Sequence, residues 1–180
     1  MSSSKKVLAI CGSTRKASSN LYLIQAIATL AKDRMEITLF EGLMNIPPFN
    51  PDDDNDQPPA VITSFRQQLR NADGILICTP EYAMGLPGTL KNAIDWTVSS
   101  CEFSNKPVAA ITASSQGNLA HASLLATLKV IEAHITDDTQ LLISFIKTKV
   151  NSNGEITNEE TLRSVQKLVE AFGELMNREM

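Results

Sequence analysis

Three short segments of this sequence are almost continuously apolar, and they constrain the fold more than any other feature. Residues 7–11 are VLAIC, residues 74–79 are GILICT and residues 108–112 are VAAIT. A strand with one face in water alternates apolar and polar residues, and these segments do not alternate. Such runs are typical of strands that are buried on both faces, as in a parallel sheet. Two weaker runs, at 36–40 and 141–145, predict strands at the edges of that sheet.

Segments with helical periodicity separate these runs. Their apolar residues recur every three or four positions, which is the spacing of one buried helix face. A last helix is predicted to begin at a capping box formed by Thr157 and Glu160. The other predicted stripes comprise Leu21, Ile24, Ile27, Ala28 and Ala31; Val61, Ile62, Phe65 and Leu69; Leu90, Ala93, Ile94 and Thr97; and Leu125, Leu128 and Ile131.

Strict alternation of strand and helix predicts a doubly wound α/β domain. Right-handed crossovers then place helices on both faces of a five-stranded parallel sheet, and the expected strand order is 2-1-3-4-5. The length of 180 residues fits a single domain over residues 1–180. Ligands of such folds bind outside the carboxyl ends of the strands, where the loops after strands one, three and four converge. Those loops are therefore the candidate functional segments.

Several classes of protein are disfavoured by the sequence. A net charge of −4 argues against nucleic acid as the main partner. Cys11, Cys78 and Cys101 are widely separated, so neither a disulfide framework nor a metal site is predicted, and a reducing compartment is expected. The apolar run at 7–11 is too short for a secretion signal or a membrane span. The acidic run at 52–56 lacks the glycine and glutamate of a calcium loop, and is predicted to be solvated. A cytoplasmic protein without a membrane partner is expected.

The loop after the first strand is rich in hydrogen-bond donors. It spans residues 12–20, GSTRKASSN, and a helix is predicted to begin near Ser18. Helix N-termini favour anions, and the hydroxyl groups, the Asn20 amide and the Arg15 guanidinium suit a terminal phosphate. The loop lacks both the G-x-G-x-x-G of dinucleotide sites and the Gly-Lys-Ser/Thr ending of P-loops. A site for a phosphate monoester is predicted, with a simple helix cap at Ser18 or Ser19 as the alternative.

The other two loops predict a shaped wall for a ligand. Residues 79–88, TPEYAMGLPG, contain two prolines, two glycines and one aromatic residue. Such residues make a rigid loop whose backbone groups can face a ligand. The fourth strand ends in ASSQG at 113–117, a turn of small residues that allows a flat ring to lie close to the backbone.

Motifs on these loops resemble those of the NADPH-dependent FMN reductase family, which includes quinone, azo-dye and chromate reductases of flavodoxin-like fold. The first motif is G-S-x-R-x-x-S-x-N at 12–20. The second comprises P-E-Y at 80–82 and P-G-x-L-K-N-A-I-D-W at 87–96. In the family the first motif holds the FMN phosphate, and the other loops border the isoalloxazine ring. The cofactor-binding residues implied by this resemblance are Ser13, Arg15, Ser18, Ser19, Asn20, Pro80, Glu81, Tyr82, Ala83, Met84, Gly85, Ser115 and Gly117.

The resemblance also implies an activity and an assembly. Electrons would pass from NADPH, or from NADH, through bound FMN to a small acceptor such as a quinone, free flavin, azo compound or metal oxyanion. Because the flavin carries this chemistry, no catalytic side chain is expected. A homodimer or homotetramer is implied, with the flavin near a subunit interface. A non-enzymatic FMN-binding electron carrier or regulatory module is the alternative hypothesis.

The sequence departs from the family pattern at three positions. The family usually continues Pro-Glu-Tyr with Asn and has Ser two residues later, where this chain has Ala83 and Gly85. Ala120 stands where the family tends to have a second glycine. Loss of the amide and the hydroxyl predicts looser FMN binding than in a typical member.

Overall fold

The computed structural model describes residues 4–178, in which a five-stranded parallel sheet has the order β2-β1-β3-β4-β5. This confirms the predicted order and both edge strands. The strands are β1 (Lys5–Cys11), β2 (Met35–Leu39), β3 (Gly74–Thr79), β4 (Val108–Ser114) and β5 (Gln140–Ser144). The α-helices are α1 (Ser19–Ala31), α2 (Ala60–Asn71), α3 (Gly88–Asp95), α4 (Asn118–Val130) and α5 (Glu159–Asn177).

Both faces of the sheet are covered, as the continuous apolar runs predicted. Every residue of β3 and of β4 is buried, whereas β2 and β5 are partly exposed. Alternate residues of β3 face opposite sides. Leu76 and Cys78 pack with α1 and α5, and Ile75 and Ile77 pack with α2, α3 and α4. Each fully buried aliphatic side chain contributes about 1.5–3 kcal/mol, so the two clusters hold the sheet rigid beneath its loops.

The last helix begins one residue later than the predicted capping box. The side-chain Oδ1 of Asn158 accepts a hydrogen bond from the backbone N–H of Thr161 at 2.9 Å, so Asn158 is the cap. The predicted box of Thr157 and Glu160 is therefore wrong. Two adjacent residues could both cap a helix here, and Asn is a somewhat stronger cap than Thr.

The buried stripe of α4 is also offset from the prediction. Ala120, Leu124 and Leu128 are fully buried, while Leu125 and Ile131 pack only at the edge of the core. Helix α4 has apolar residues on adjacent positions, so its periodicity fits two overlapping faces.

The acidic segment at 52–56 is not wholly solvated, so that prediction is wrong at Asp54. Its carboxylate lies 2.6 Å from the guanidinium of Arg66, and both side chains are only 8% exposed. Arg66 also donates from Nε to the carbonyl oxygen of Trp96 at 2.9 Å. The loop is thereby fastened to α2 and to the end of α3. A sequence pattern for surface loops does not reveal a partner twelve residues away.

Between residues 4 and 178, the helices are all too short or too polar to span a bilayer. The same residues contain no cluster of His, Cys, Asp and Glu side chains suited to a metal ion.

Candidate functional site

A cavity of about 510 Å³ opens at the carboxyl edge of the sheet, where the loops after β1, β3, β4 and β5 meet. This volume falls within the range of about 300–1,000 Å³ that is usual for cofactor and ligand sites. Nine of the thirteen predicted site residues line it, namely Ser13, Arg15, Ser18, Ser19, Asn20, Pro80, Glu81, Tyr82 and Ser115. The other four, Ala83, Met84, Gly85 and Gly117, lie outside its wall.

The first loop leaves β1 through Gly12, where the backbone passes very close to β3. A Cβ atom on Gly12 would clash with the side chain of Thr79, so a larger residue does not fit here unless that side chain shifts. The loop then reaches Ser18, whose Oγ accepts a hydrogen bond from the backbone N–H of Asn20 at 3.2 Å. Ser18 is therefore the cap of α1, and the first turn of this helix faces the cavity.

The cavity carries positive charge that the protein itself does not neutralise. Arg15 and Lys147 both line it and both are exposed. Within residues 4–178, the guanidinium of Arg15 makes no ion pair or hydrogen bond. Arg15 and the N-terminus of α1 together make the first loop suitable for an anion.

Asn20 is buried, and its side chain is engaged within the protein. Its Nδ2 donates to the carbonyl oxygen of Ala113 at 3.1 Å, and its Oδ1 accepts from the Cys78 thiol at 3.3 Å. Burial raises the pKa of Cys78 well above its usual value, so this thiol remains a donor. One N–H of the Asn20 amide thus ties the start of α1 to the end of β4, and the predicted role of this amide as a phosphate donor stays a prediction.

The loop after β3 is bonded to its neighbours on both sides. The backbone N–H of Glu81 donates to Ser114 Oγ at 3.2 Å. The Glu81 carboxylate accepts from the backbone N–H groups of Leu119 at 3.0 Å and Ala120 at 2.9 Å, which caps α4. On the other side, the hydroxyl groups of Tyr82 and Ser13 lie 3.4 Å apart. These contacts hold three of the loops around the cavity as one unit.

The tip of this loop is a tight turn that is exposed and lies outside the cavity wall. Tyr82 and Gly85 exchange two backbone hydrogen bonds of 3.0 Å each. The two residues between them, Ala83 and Met84, have positive φ angles of 49° and 62°. Positive φ at both central positions is the geometry of a type I′ turn, which favours Asn, Asp and Gly. The asparagine that is usual in the family therefore matches the backbone required at position 83.

Gly117 is needed for backbone geometry and packing at the start of α4. Its φ is +97°, and a Cβ atom would lie 2.9 Å from a methyl carbon of Leu142 and 3.1 Å from that of Thr112. Such contacts exclude larger residues. Ser115, two residues earlier, does line the cavity.

The sequence analysis missed a fourth loop at the site, the one that follows β5. The backbone N–H of Phe145 donates to the carbonyl oxygen of Ser115 at 3.1 Å, which holds this loop against the one after β4. The predicted strand order contained the signal, because β5 lies beside β4 and ends at the same edge of the sheet. The lining residues that were not predicted are Ala17, Ala113, Ser114, Phe145, Ile146, Lys147 and Thr148.

Comparison with known proteins decides the family. The model of the NADPH-dependent FMN reductase family matches residues 5–148. The chain belongs to this family. It is 32% identical to a quinone reductase of Escherichia coli K12, over 99% of this chain and 98% of that protein. It is 34% identical to an NAD(P)H-dependent FMN reductase of Pseudomonas aeruginosa, over 96% of this chain and 95% of that one.

A solved structure agrees with this assignment. The flavoenzyme NAD(P)H:(acceptor) oxidoreductase FerB of Paracoccus denitrificans matches with a TM-score of 0.76 and 26% identity, over 96% of this chain and 97% of its own. The predicted resemblance, the flavodoxin-like fold and the enzyme class are confirmed. The chain is an FMN-dependent NAD(P)H oxidoreductase.

Proposed function

We propose that the cavity holds FMN, with its phosphate on the first loop, and that the enzyme reduces a quinone-like acceptor. The observation that carries this proposal is the unpaired Arg15 guanidinium beside the capped N-terminus of α1, within one cavity. The acceptor class is supported by the relative named as a quinone reductase. Either NADPH or NADH would serve as the electron donor.

The donors at the first loop fit a phosphate monoester. A terminal phosphate carries nearly two negative charges and three oxygens, so it matches a planar guanidinium, several hydroxyl groups and helix N–H groups. Arg15 supplies the charge, and Ser13, Ser18 and Ser19 supply hydroxyl groups at the same end of the cavity. A bridging pyrophosphate requires a glycine-rich approach that residues 13–20 lack. FMN therefore fits this end better than a dinucleotide does.

The remaining walls suit a flat ring. Pro80 and Tyr82 form one side, and the small residues Ala113, Ser114 and Ser115 form another. FMN bound here would supply the two-electron chemistry between NAD(P)H and the acceptor. The side chains of these residues position the ring and exclude water from its buried edge. None of them is required to transfer a proton.

The proposal also covers the oligomeric state, the partners and the cellular location of the protein. A homodimer or homotetramer of single domains spanning residues 1–180 is supported by exposed apolar side chains near the cavity, including Met84 at 75% exposure and Leu119 at 54%. The acidic net charge supports a protein without a nucleic acid partner, and no membrane partner is proposed. A cytoplasmic location agrees with its free cysteines. Light scattering after size-exclusion chromatography tests the assembly.

Steady-state kinetics and absorption spectroscopy test the function. The purified protein with added FMN should show a protein-bound flavin spectrum that bleaches when NADPH or NADH is added anaerobically. Addition of benzoquinone should restore the spectrum, and NAD(P)H consumption should match quinone consumption one to one. A flavin that bleaches without quinone-dependent turnover would contradict the proposed acceptor. Failure to retain FMN would contradict the proposed site.

A further inference from the structure

Phe145 combines a strained backbone, an exposed aromatic ring and a place in the wall of the cavity. It follows β5 directly, with φ of 56° and ψ of 37°, in the left-handed region. Its side chain is 64% exposed and lines the cavity. A bulky residue in this region carries a backbone cost that Gly or Asn avoids. The presence of Phe here therefore needs a reason.

Neighbouring hydrogen bonds hold this backbone conformation firmly. The N–H of Phe145 donates to the carbonyl oxygen of Ser115 at 3.1 Å. Its own carbonyl oxygen accepts from the backbone N–H of Thr148 at 3.0 Å and from the Thr148 hydroxyl at 2.9 Å. The backbone of the loop after β5 is therefore held against the loop after β4, and a change of side chain at Phe145 should leave this loop in place.

Packing in the core does not explain the ring. The next residue, Ile146, is 4% exposed and anchors this loop in the core formed with α1 and α5. Phe145 belongs to neither core cluster and has no aromatic partner within residues 4–178. Strained residues of this kind concentrate at functional sites, where the strain places a side chain against a ligand.

We propose that Phe145 is a specificity-determining residue, whose ring packs against the planar acceptor and thereby favours aromatic acceptors over non-planar ones. This inference rests on the proposed function. The proposed FMN site uses the loops after β1, β3 and β4, and Phe145 lies on the fourth loop, beside β5. Its exposed ring lines the same cavity, on a loop that the proposed FMN contacts do not use. Aromatic rings stack in offset or edge-to-face arrangements with planar ligands.

Acceptor selectivity tests this inference. Phe145→Asn keeps a residue that accepts the left-handed region and removes the ring. Its KM for a naphthoquinone should rise roughly two- to tenfold, which corresponds to the loss of one aromatic contact. Its KM for ferricyanide, which is not planar, and its FMN dissociation constant should stay unchanged. Phe145→Tyr should retain the naphthoquinone KM of the unmodified enzyme.

Stability and a matched control complete the test. The apo form of Phe145→Asn should melt about 2–4 °C higher, since backbone strain is relieved. Val130→Ala, which changes an apolar side chain that is 80% exposed and outside the cavity wall, should alter neither KM. Equal rises in both KM values, a weaker FMN affinity or a changed oligomeric state in Phe145→Asn would overturn the inference. An unmodified enzyme that turns over neither acceptor would overturn the proposed function as well.

Discussion

The carboxylate of Glu81 lies 2.9 Å from the backbone nitrogen of Ala120 and accepts its hydrogen bond. The same oxygen accepts from the N–H of Leu119 at 3.0 Å. A residue of the loop after β3 thereby caps the helix that follows β4, across 39 positions of the chain. The negative charge also meets the positive end of the α4 dipole. One side chain therefore sets the separation of two walls of the proposed flavin site.

Replacement of Glu81 should separate its capping role from its charge. Glu81→Ala removes the acceptor and should lower the free energy of unfolding by about 1–2 kcal/mol, while FMN binding weakens because the two loops are no longer held together. Glu81→Gln keeps an acceptor oxygen, so it should lose less stability. Urea unfolding of the apo proteins and FMN titration measure both effects. Glu174→Gln, an exposed residue on α5, is the control. Unchanged unfolding of Glu81→Ala would show that the cap contributes nothing.

Loss of the Arg15 guanidinium should weaken FMN binding specifically through its phosphate. A hydrogen bond to a charged group contributes about 1.5–3 kcal/mol, so the dissociation constant of Arg15→Ala should rise roughly ten- to a hundredfold. Riboflavin, which lacks the phosphate, should bind the variant and the unmodified protein equally. Thermal shifts with each ligand provide the measurement. The control is Arg163→Ala, which removes an exposed arginine on α5 that does not line the cavity. An equal loss of riboflavin affinity would place the phosphate elsewhere.

The buried pair of Asp54 and Arg66 should make stability depend on acid pH. Burial raises the pKa of Asp54, but hydrogen bonds from Ser99 and Arg66 and the charge of Arg66 outweigh it, so the pKa falls below its ordinary value of 3.8. A depressed folded-state pKa means that the ionised form stabilises the fold. This contribution is complete above the ordinary pKa and is lost as the pH falls through the folded-state pKa.

Urea unfolding of Asp54→Asn beside the unmodified protein tests this dependence. At about pH 7 the variant should be less stable, because Arg66 is left buried without a counter-ion. Toward about pH 3 the difference between the two proteins should shrink as Asp54 becomes protonated. Asp56→Asn, an exposed neighbour, should show no such trend. If the difference in free energy of unfolding between the two proteins stayed constant from neutral to acid pH, the lowered pKa of Asp54 would be contradicted.

The sheet could be predicted well because the burial of a strand can be read from consecutive residues of the sequence. The run from Ile75 to Cys78 already shows a strand without a polar face, and its burial on both sides follows directly. The side-chain partners of the site depend instead on long-range contacts. The Asn20 amide meets the Ala113 carbonyl oxygen across 93 positions, so one of its two N–H donors is already used within the protein. The left-handed backbone of Phe145 arises from the end of β5 and has no marker among its neighbouring residues.

The turn at Ala83 offers a physical reason for the asparagine that the family usually has at this position. Asn suits the backbone conformation there, and this reason does not require a contact with the flavin. Ala83 has a φ of 49° and lies outside the cavity wall, so its first effect is on the loop backbone. Ala83→Asn should raise the stability of the apo protein by about 1 kcal/mol, since Asn tolerates this region better than Ala. Ala83→Gly should gain less, because Gly also increases the entropy of the unfolded chain.

FMN titration of the same variants decides whether the side chain also reaches the cofactor. If only the backbone matters, Asn and Gly at position 83 should leave the FMN dissociation constant within about twofold of the unmodified value. A direct hydrogen bond from the Asn amide would instead tighten binding roughly two- to tenfold in Ala83→Asn alone. Ala83→Val is the opposing control, because a β-branched residue is poorly tolerated at positive φ and should lower the melting temperature. We expect the backbone effect, since Ala83 is exposed and lies outside the cavity wall. A melting temperature of Ala83→Asn at or below that of the unmodified protein would refute it.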